Sequence, residues 1–220
     1  DGALPGLETE GVVKALDYLI GNINHQQSYG MAEYPYFDMS GQRVIVLGGG
    51  DTAMDCVRSA IRQNAKSVQC VYRRNEKAMP GSKQEVQNAK DEGVEFVFHR
   101  QPLAIENKNG KLSGVKFAII DNEAVDQEII MPADRLIIAF GFSASPADWF
   151  DTIGLEQNEK GLLKTLPSTQ FDIPYLQQTH AAGIFAGGDM VRGADLVVTA
   201  IAEGRQAARE ILASLGVDAA

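Results

Sequence analysis

The stretch Val44-Ile45-Val46-Leu47-Gly48-Gly49-Gly50-Asp51-Thr52-Ala53 decides the fold. Its first four residues form a short, unbroken apolar run, which predicts a β-strand covered on both faces. The glycines predict a tight turn, and Thr52 to Gln63 reads as a helix with Ala53, Val57, Ala60 and Ile61 inward. Val68 to Tyr72 reads as a second strand. Together these make a βαβ unit, whose right-handed crossover sets the two strands parallel.

The residues of the turn have separate tasks. Gly48 allows the sharp exit from the strand. Gly50 lets the backbone approach a phosphate with no Cβ in the way, and Ala53 lets the helix pack close to the strand. The free N–H groups at the helix start, with the helix dipole, favour a negative pyrophosphate. A lone G-x-G-x-x-A is weak evidence, but its position between a strand and a helix points to dinucleotide binding. Gly48, Gly49, Gly50, Asp51 and Thr52 are therefore the candidate pyrophosphate residues.

The end of the second strand discriminates between nicotinamide dinucleotides. An NAD site places Asp or Glu there to hold the ribose 2′-hydroxyl. In this chain, 25 residues after Gly48, stand Arg73 and Arg74. A carboxylate would repel a 2′-phosphate, whereas a guanidinium can hold it with two charge-assisted hydrogen bonds. The pair points to NADP(H); the alternative is an exposed basic pair that only solubilises a loop.

Outward from this unit, Thr9 offers an N-cap for a helix whose apolar face is Val12, Val13, Leu16, Leu19, Ile20 and Ile23. Asn24 to Met39 loses that period and reads as a linker. On the other side, a polar helix is expected from about Ser82 to Glu92 and a strand over Val94 to Phe98. Leu103–Glu106, Leu112–Ile120 and Glu128–Met131 then read as an antiparallel meander, with Asn109-Gly110 as a hairpin turn. A further parallel strand is expected over Asp134 to Phe140, ending in Gly141. The texture is looser beyond Pro146 until Gly183-Ile184-Phe185-Ala186-Gly187-Gly188-Asp189. A last helix is expected from near Ala194, with Val197, Ile201, Ala208, Ile211, Leu212 and Leu215 along one side.

Asp189 at a strand end can accept hydrogen bonds from a polyol, and the helix start after it can stabilise negative charge on a reduced ring system. A strand end with an N-capping Asp accounts for the same residues equally well.

Composition narrows the classes. The 220 residues carry a net charge of −9 and no block of basic residues, so nucleic acid is not an expected partner. No apolar run is long enough to cross a bilayer and no signal layout opens the chain, so a cytoplasmic protein without membrane contact is expected. Cys56 and Cys70 form no C-x-x-C pair and read as core residues. His25, His99 and His180 lie far apart, so no metal site is expected. None of the six tyrosines is followed four residues later by Lys, which argues against a short-chain dehydrogenase. A thioredoxin-reductase-like enzyme would need a C-x-x-C that is absent.

Val44–Asp55, Val71-Tyr72-Arg73-Arg74 running on to Met79-Pro80-Gly81, and Gly187-Gly188-Asp189 with Ala200–Ala208 resemble the NADPH-dependent small (beta) subunit of glutamate synthase. The flavin reductase region of dihydropyrimidine dehydrogenase is similar too. The resemblance covers nearly the whole chain. It implies an α/β fold of the two-dinucleotide-binding-domain flavoprotein type: a Rossmann-like parallel sheet with an antiparallel meander crossover, plus the C-terminal part of the FAD domain. Residues 1–40 would be a helix and linker from the FAD domain, 41–147 the NADP(H)-binding domain, and 148–220 the last part of the FAD domain.

The resemblance further implies hydride transfer from NADPH to FAD and onward to iron–sulfur centres, a large partner subunit or another acceptor protein. It assigns the NADPH pyrophosphate to Gly48, Gly50, Asp51 and Thr52 and the 2′-phosphate to Arg73 and Arg74. Gly141 would belong to a second glycine turn at the domain junction. Gly188 and Asp189 would meet FAD, with Asp189 on its ribityl chain and the helix start near Leu196 facing the flavin ring. The family opens with its own G-x-G-x-x-G turn for FAD, preceded by iron–sulfur cysteines, and this chain has neither. A C-terminal fragment with an incomplete FAD site, inactive by itself, is therefore expected. No catalytic acid or base is expected, because position and electrostatics suffice when the cofactor carries the chemistry. The alternative function is an NADP-binding regulatory module without turnover.

Overall fold

In a computed structural model, residues 4–30, 33–121, 124–167 and 175–217 are described. Two compact units divide the chain at Gly141/Phe142.

The first unit is built on a five-stranded, fully parallel sheet with strand order β1-β8-β2-β3-β4. Its strands are β1 (Val12–Lys14), β2 (Arg43–Leu47), β3 (Ser67–Val71), β4 (Glu95–Val97) and β8 (Arg135–Ile138). Helices α1 (Ala15–Gln27), α2 (Asp51–Arg62) and α3 (Lys83–Asp91) accompany it. Between β4 and β8 the chain makes an antiparallel meander of β5 (Arg100–Lys108), β6 (Lys111–Asp121) and β7 (Ala124–Pro132).

The unbroken apolar run of β2 has a direct explanation. Val44 and Val46 belong to a core with Met54, Val57 and Ala60 of α2 and Val86 of α3. Ile45 and Leu47 belong to a second core with Ile105, Val115 and Phe117 of the meander. Side chains alternate across a strand, so apolar residues are needed at every position when both faces are covered. The expected hairpin at Asn109-Gly110 forms: Lys108 pairs with Lys111, and both turn residues have positive φ, 56° and 79°. That conformation suits the primed turns that match strand twist.

The first forty residues depart from expectation. Val12 and Val13 are not the start of a helix; they pair in parallel with Leu136 and Ile137 at the sheet edge. A strand of three residues is too short to show a period, and its apolar residues merged into the helical stripe behind it. The helix begins at Ala15, with Lys14 rather than Thr9 at its N-cap. The expected linker folds back on α1 so closely that a Cβ at Gly21 would lie 2.2 Å from the Pro35 carbonyl oxygen. His25 stacks on Tyr36 with centroids 3.8 Å apart, and Gln63, the C-cap of α2, joins Asn22 to the Met39 amide. Residues 31 and 32 of that expected linker lie outside the described residues. The first compact unit ends at Gly141.

An ion pair ties β2 to the entry of β8. Arg43 donates to Asp134 from its amide (2.9 Å), from Nε (2.9 Å) and from Nη2 (2.7 Å). The Arg43 side chain beside it holds the Asp134 carboxyl below its ordinary value of 3.8, at about 2. The folded pKa is depressed, so the pair stabilises the fold above pH 3.8 and that contribution is lost as pH falls toward 2. The effect is shallow, because both side chains are about two-fifths exposed. Asp134→Asn should flatten the dependence of the denaturation midpoint on pH between 4 and 2 (roughly the span of the two pKa values). A slope equal to that of the parent protein would show that the pair contributes nothing.

The second unit is smaller. It contains a 3-10 turn (Asp151–Ile153), the antiparallel pair β9 (Thr165–Pro167) and β10 (Tyr175–Thr179), the single turn α4 (Asp189–Arg192) and α5 (Val197–Ser214). Phe150, Leu155, Leu163 and Ala186 form its core. Glu203 and Glu210 of α5 accept hydrogen bonds from the amides of Gly188 and Gln177. Val197, Ile201 and Leu215 of the expected apolar stripe are exposed. Among the described residues, no helix is long and apolar enough to cross a membrane.

Candidate functional site

The turn between β2 and α2 sits at the carboxyl end of the parallel strands, where open α/β sheets bind ligands. Gly48 is there because nothing larger fits: a Cβ would stand 2.2 Å from the carbonyl oxygen of Ala139, just beyond β8. Gly49 is pressed against Tyr72, whose ring carbons would lie 2.8 Å from an added Cβ. Gly50 differs from both. It is the N-cap of α2 with φ −90° and ψ 177°, and a Cβ there would meet only Pro80 Cγ at 3.9 Å. Among the described residues, no side chain caps α2. Its start therefore offers backbone N–H groups and the positive end of the dipole.

Asp51 opens the helix, and its Oδ1 accepts the Ser82 amide at 2.7 Å. The Gly81 amide donates to the Gly49 carbonyl at 3.0 Å. A Cβ on Gly81 would lie 3.0 Å from that carbonyl oxygen, so the segment from Pro80 to Ser82 lies flat along the turn. Thr52 follows in the first turn of α2 and is partly exposed. Beneath the turn, Cys70 Sγ contacts the Gly48 carbonyl oxygen at 3.4 Å. Burial pushes the Cys70 thiol up to about 12 and raises that of Cys56 as well. Both stay protonated and pack as core residues, as their spacing suggested.

Arg73 and Arg74 follow β3 and are exposed. Arg74 Nη2 donates to the Tyr72 hydroxyl at 3.0 Å. Arg74 and the glycine turn are therefore linked through one aromatic side chain. Gly141 has φ 91° and open space around it, at the end of the first unit.

Gly188, Asp189 and Leu196 lie in the second unit. Gly188 takes φ 70°, and its amide donates to Glu203. The same carboxylate binds Arg192, with Nε at 2.8 Å, so it fastens both ends of α4. Asp189 is exposed, and its Oδ1 accepts the Asp195 amide at 3.3 Å. It lines a cavity of about 670 Å³ with Phe142, Ser143, Lys160, Arg192 and Ala194. Leu196 is the N-cap of α5, which no side chain caps among the described residues, so that helix start is open as well. Sequence reasoning missed Tyr72, Gly81, Ser82 and Glu203. Their roles rest in part on contacts with residues distant along the chain, for which no local pattern exists: Tyr72 lies against Gly49, and Asp51 and Ser82 are 31 apart.

Residues 4–204 match the family model of pyridine nucleotide-disulphide oxidoreductases. The chain is 49% identical to the glutamate synthase (NADPH) small chain of Halomonas elongata, over 99% of this chain and 48% of that one. It is 47% identical to the same-named chain of Escherichia coli, over 96% of this chain and 47% of that one. It thus spans about half the length of these curated relatives. Among solved structures, thioredoxin reductase of Lactococcus lactis aligns with a TM-score of 0.71 at 21% identity, covering 97% of this chain and 61% of that one. That likeness concerns the fold alone. With its parallel sheet, its glycine turn and the meander ahead of the last parallel strand, the chain belongs to the pyridine nucleotide-disulphide oxidoreductase family.

Proposed function

We propose that this chain is the NADPH-binding part of a flavoprotein oxidoreductase of the glutamate synthase small-chain type, in which hydride passes from NADPH to FAD and electrons go on to iron–sulfur centres or a partner subunit. One observation carries the reading. Arg74 is joined through the buried Tyr72 to the glycine turn, which puts the residue assigned to the 2′-phosphate beside the cradle assigned to the pyrophosphate. The relatives at 49% and 47% identity support the same assignment.

The nucleotide and the flavin supply the redox chemistry, and the protein supplies grip and alignment. Gly48, Gly49 and Gly50, with the N–H groups of Asp51 and Thr52, would hold the pyrophosphate; the uncapped helix start and the open space at Gly50 fit that group. Arg73 and Arg74 would hold the 2′-phosphate. Gly141 would form the second glycine turn. Asp189, exposed at the rim of a cavity, fits a polyol and would bind the ribityl chain. Gly188 and the open helix start at Leu196 would face the rest of the flavin. The remainder of the FAD site would come from sequence outside these 220 residues.

The test is a comparison of cofactors. Arg73→Ala with Arg74→Ala should weaken NADPH binding roughly 100-fold and leave NADH nearly unchanged, since two charge-assisted contacts to phosphate are removed. Equal losses for both nucleotides would overturn the assignment of the pair. The full-length protein should carry bound flavin and oxidise NADPH. A full-length protein that binds NADPH and takes up no FAD would instead be a cofactor-sensing module.

A further inference from the structure

Tyr72 follows β3 directly and is only 9% exposed. Three separate parts of the nucleotide site meet on it. Its ring abuts Gly49 of the turn. Its hydroxyl donates to the Ala78 carbonyl at 2.8 Å and accepts from Arg74 Nη2 at 3.0 Å. The Arg74 guanidinium carbon stands 5.9 Å from the ring centroid, within range of a cation–π contact. Ala78 closes a short 3-10 turn whose N-cap Asn75 accepts the Ala78 amide at 3.1 Å. Three residues on, Gly81 bonds to Gly49. One phenol thus connects the arginine, the strap over the turn and the turn itself.

The proton count of the hydroxyl makes this arrangement directional. A tyrosine has one O–H, which Tyr72 donates to Ala78, and its lone pairs are free to accept from a guanidinium. Arg74 is exposed, and a long exposed side chain loses rotamer freedom when it binds a ligand. A donor already held in one place loses less.

We infer that Tyr72 is the positioning residue that sets the preference for NADPH over NADH: its hydroxyl holds the Arg74 guanidinium where the 2′-phosphate arrives. The inference rests on the assignment of Arg73 and Arg74 to that phosphate. The adenosine ribose of NADH carries no 2′-phosphate, so the bond from Arg74 to the hydroxyl contributes nothing to NADH binding, whereas the bond to Ala78 serves both nucleotides. The ring likewise supports the turn for both nucleotides.

Tyr72→Phe separates the two roles, since it keeps the ring against Gly49 and removes only the oxygen. Calorimetric titration of the chain should give an NADPH-to-NADH preference lower by about five- to tenfold, the scale of one pre-ordering hydrogen bond, with NADH binding largely retained. Retained NADH affinity also reports that the variant is folded. In an Arg74→Ala background, Tyr72→Phe should produce no further loss of the preference for NADPH, because for that preference the two residues act as one unit. An unchanged NADPH-to-NADH ratio in Tyr72→Phe, or equal weakening of both, overturns the inference. Additive losses in the double variant overturn it too. If instead the Arg73 and Arg74 variants leave the preference intact, the phosphate assignment itself has failed, and that result is read independently of Tyr72.

Discussion

Replacing Gly50 by valine is expected to abolish binding of both NADPH and NADH while the protein remains folded. Gly50 lies in a backbone region open to any residue, and a Cβ there meets nothing closer than Pro80 Cγ at 3.9 Å. The protein therefore has room for the Cβ. The cost to the fold is that of a poor N-cap, about 1 kcal/mol or less. The space the valine fills is the approach to the start of α2, which a phosphate needs. A loss of roughly 100-fold or more, about 2.7 kcal/mol, is expected for either nucleotide. Calorimetry measures it, with the thermal midpoint as the control for folding. Undiminished affinity for both nucleotides would remove the turn from the binding site.

Gly48→Ala should fail in the opposite way, through the fold. Its Cβ would stand 2.2 Å from the Ala139 carbonyl oxygen, a backbone atom. Ala139 cannot withdraw cheaply, because its amide bonds to the Leu47 carbonyl at 2.8 Å and β8 is paired along its length with β2. Relief requires β2 and β8 to separate in the centre of the sheet. A loss of about 3 kcal/mol is expected, at the upper end for overpacked sites. For a chain of this size that lowers the thermal midpoint by roughly 6–12 °C. A midpoint within about 2 °C of the parent, less than 1 kcal/mol, would mean that the strands accommodate the methyl group. The two glycines are two residues apart and serve different needs: Gly48 makes room for protein, Gly50 for ligand.

Much of the first unit was legible because its signals are local. The apolar run Val44–Leu47, the glycines after it and the period of Thr52–Gln63 all act within a few residues. The hairpin at Asn109-Gly110 was legible for the same reason, since few residue pairs tolerate two positive φ angles in succession. The strand Val12–Lys14 was not legible, because three residues carry no period and its partner Leu136–Ile138 is more than a hundred residues away. The final helix shows the same limit from the other side. Its apolar stripe is real, yet Glu203 and Glu210 hold it to the Gly188 turn and to β10, while Val197 and Ile201 stay exposed.

The sequence by itself determined the βαβ unit, its glycine turn and the two arginines after the second strand, because turn geometry and charge are properties of adjacent residues. Only the tertiary structure decided how these are held together. Tyr72 supports Gly49 and carries Arg74, Ser82 leans on Asp51, and Ala139 makes Gly48 obligatory. Most of those contacts join residues distant along the chain or across the sheet, so they exist only once the strands have taken their places beside one another.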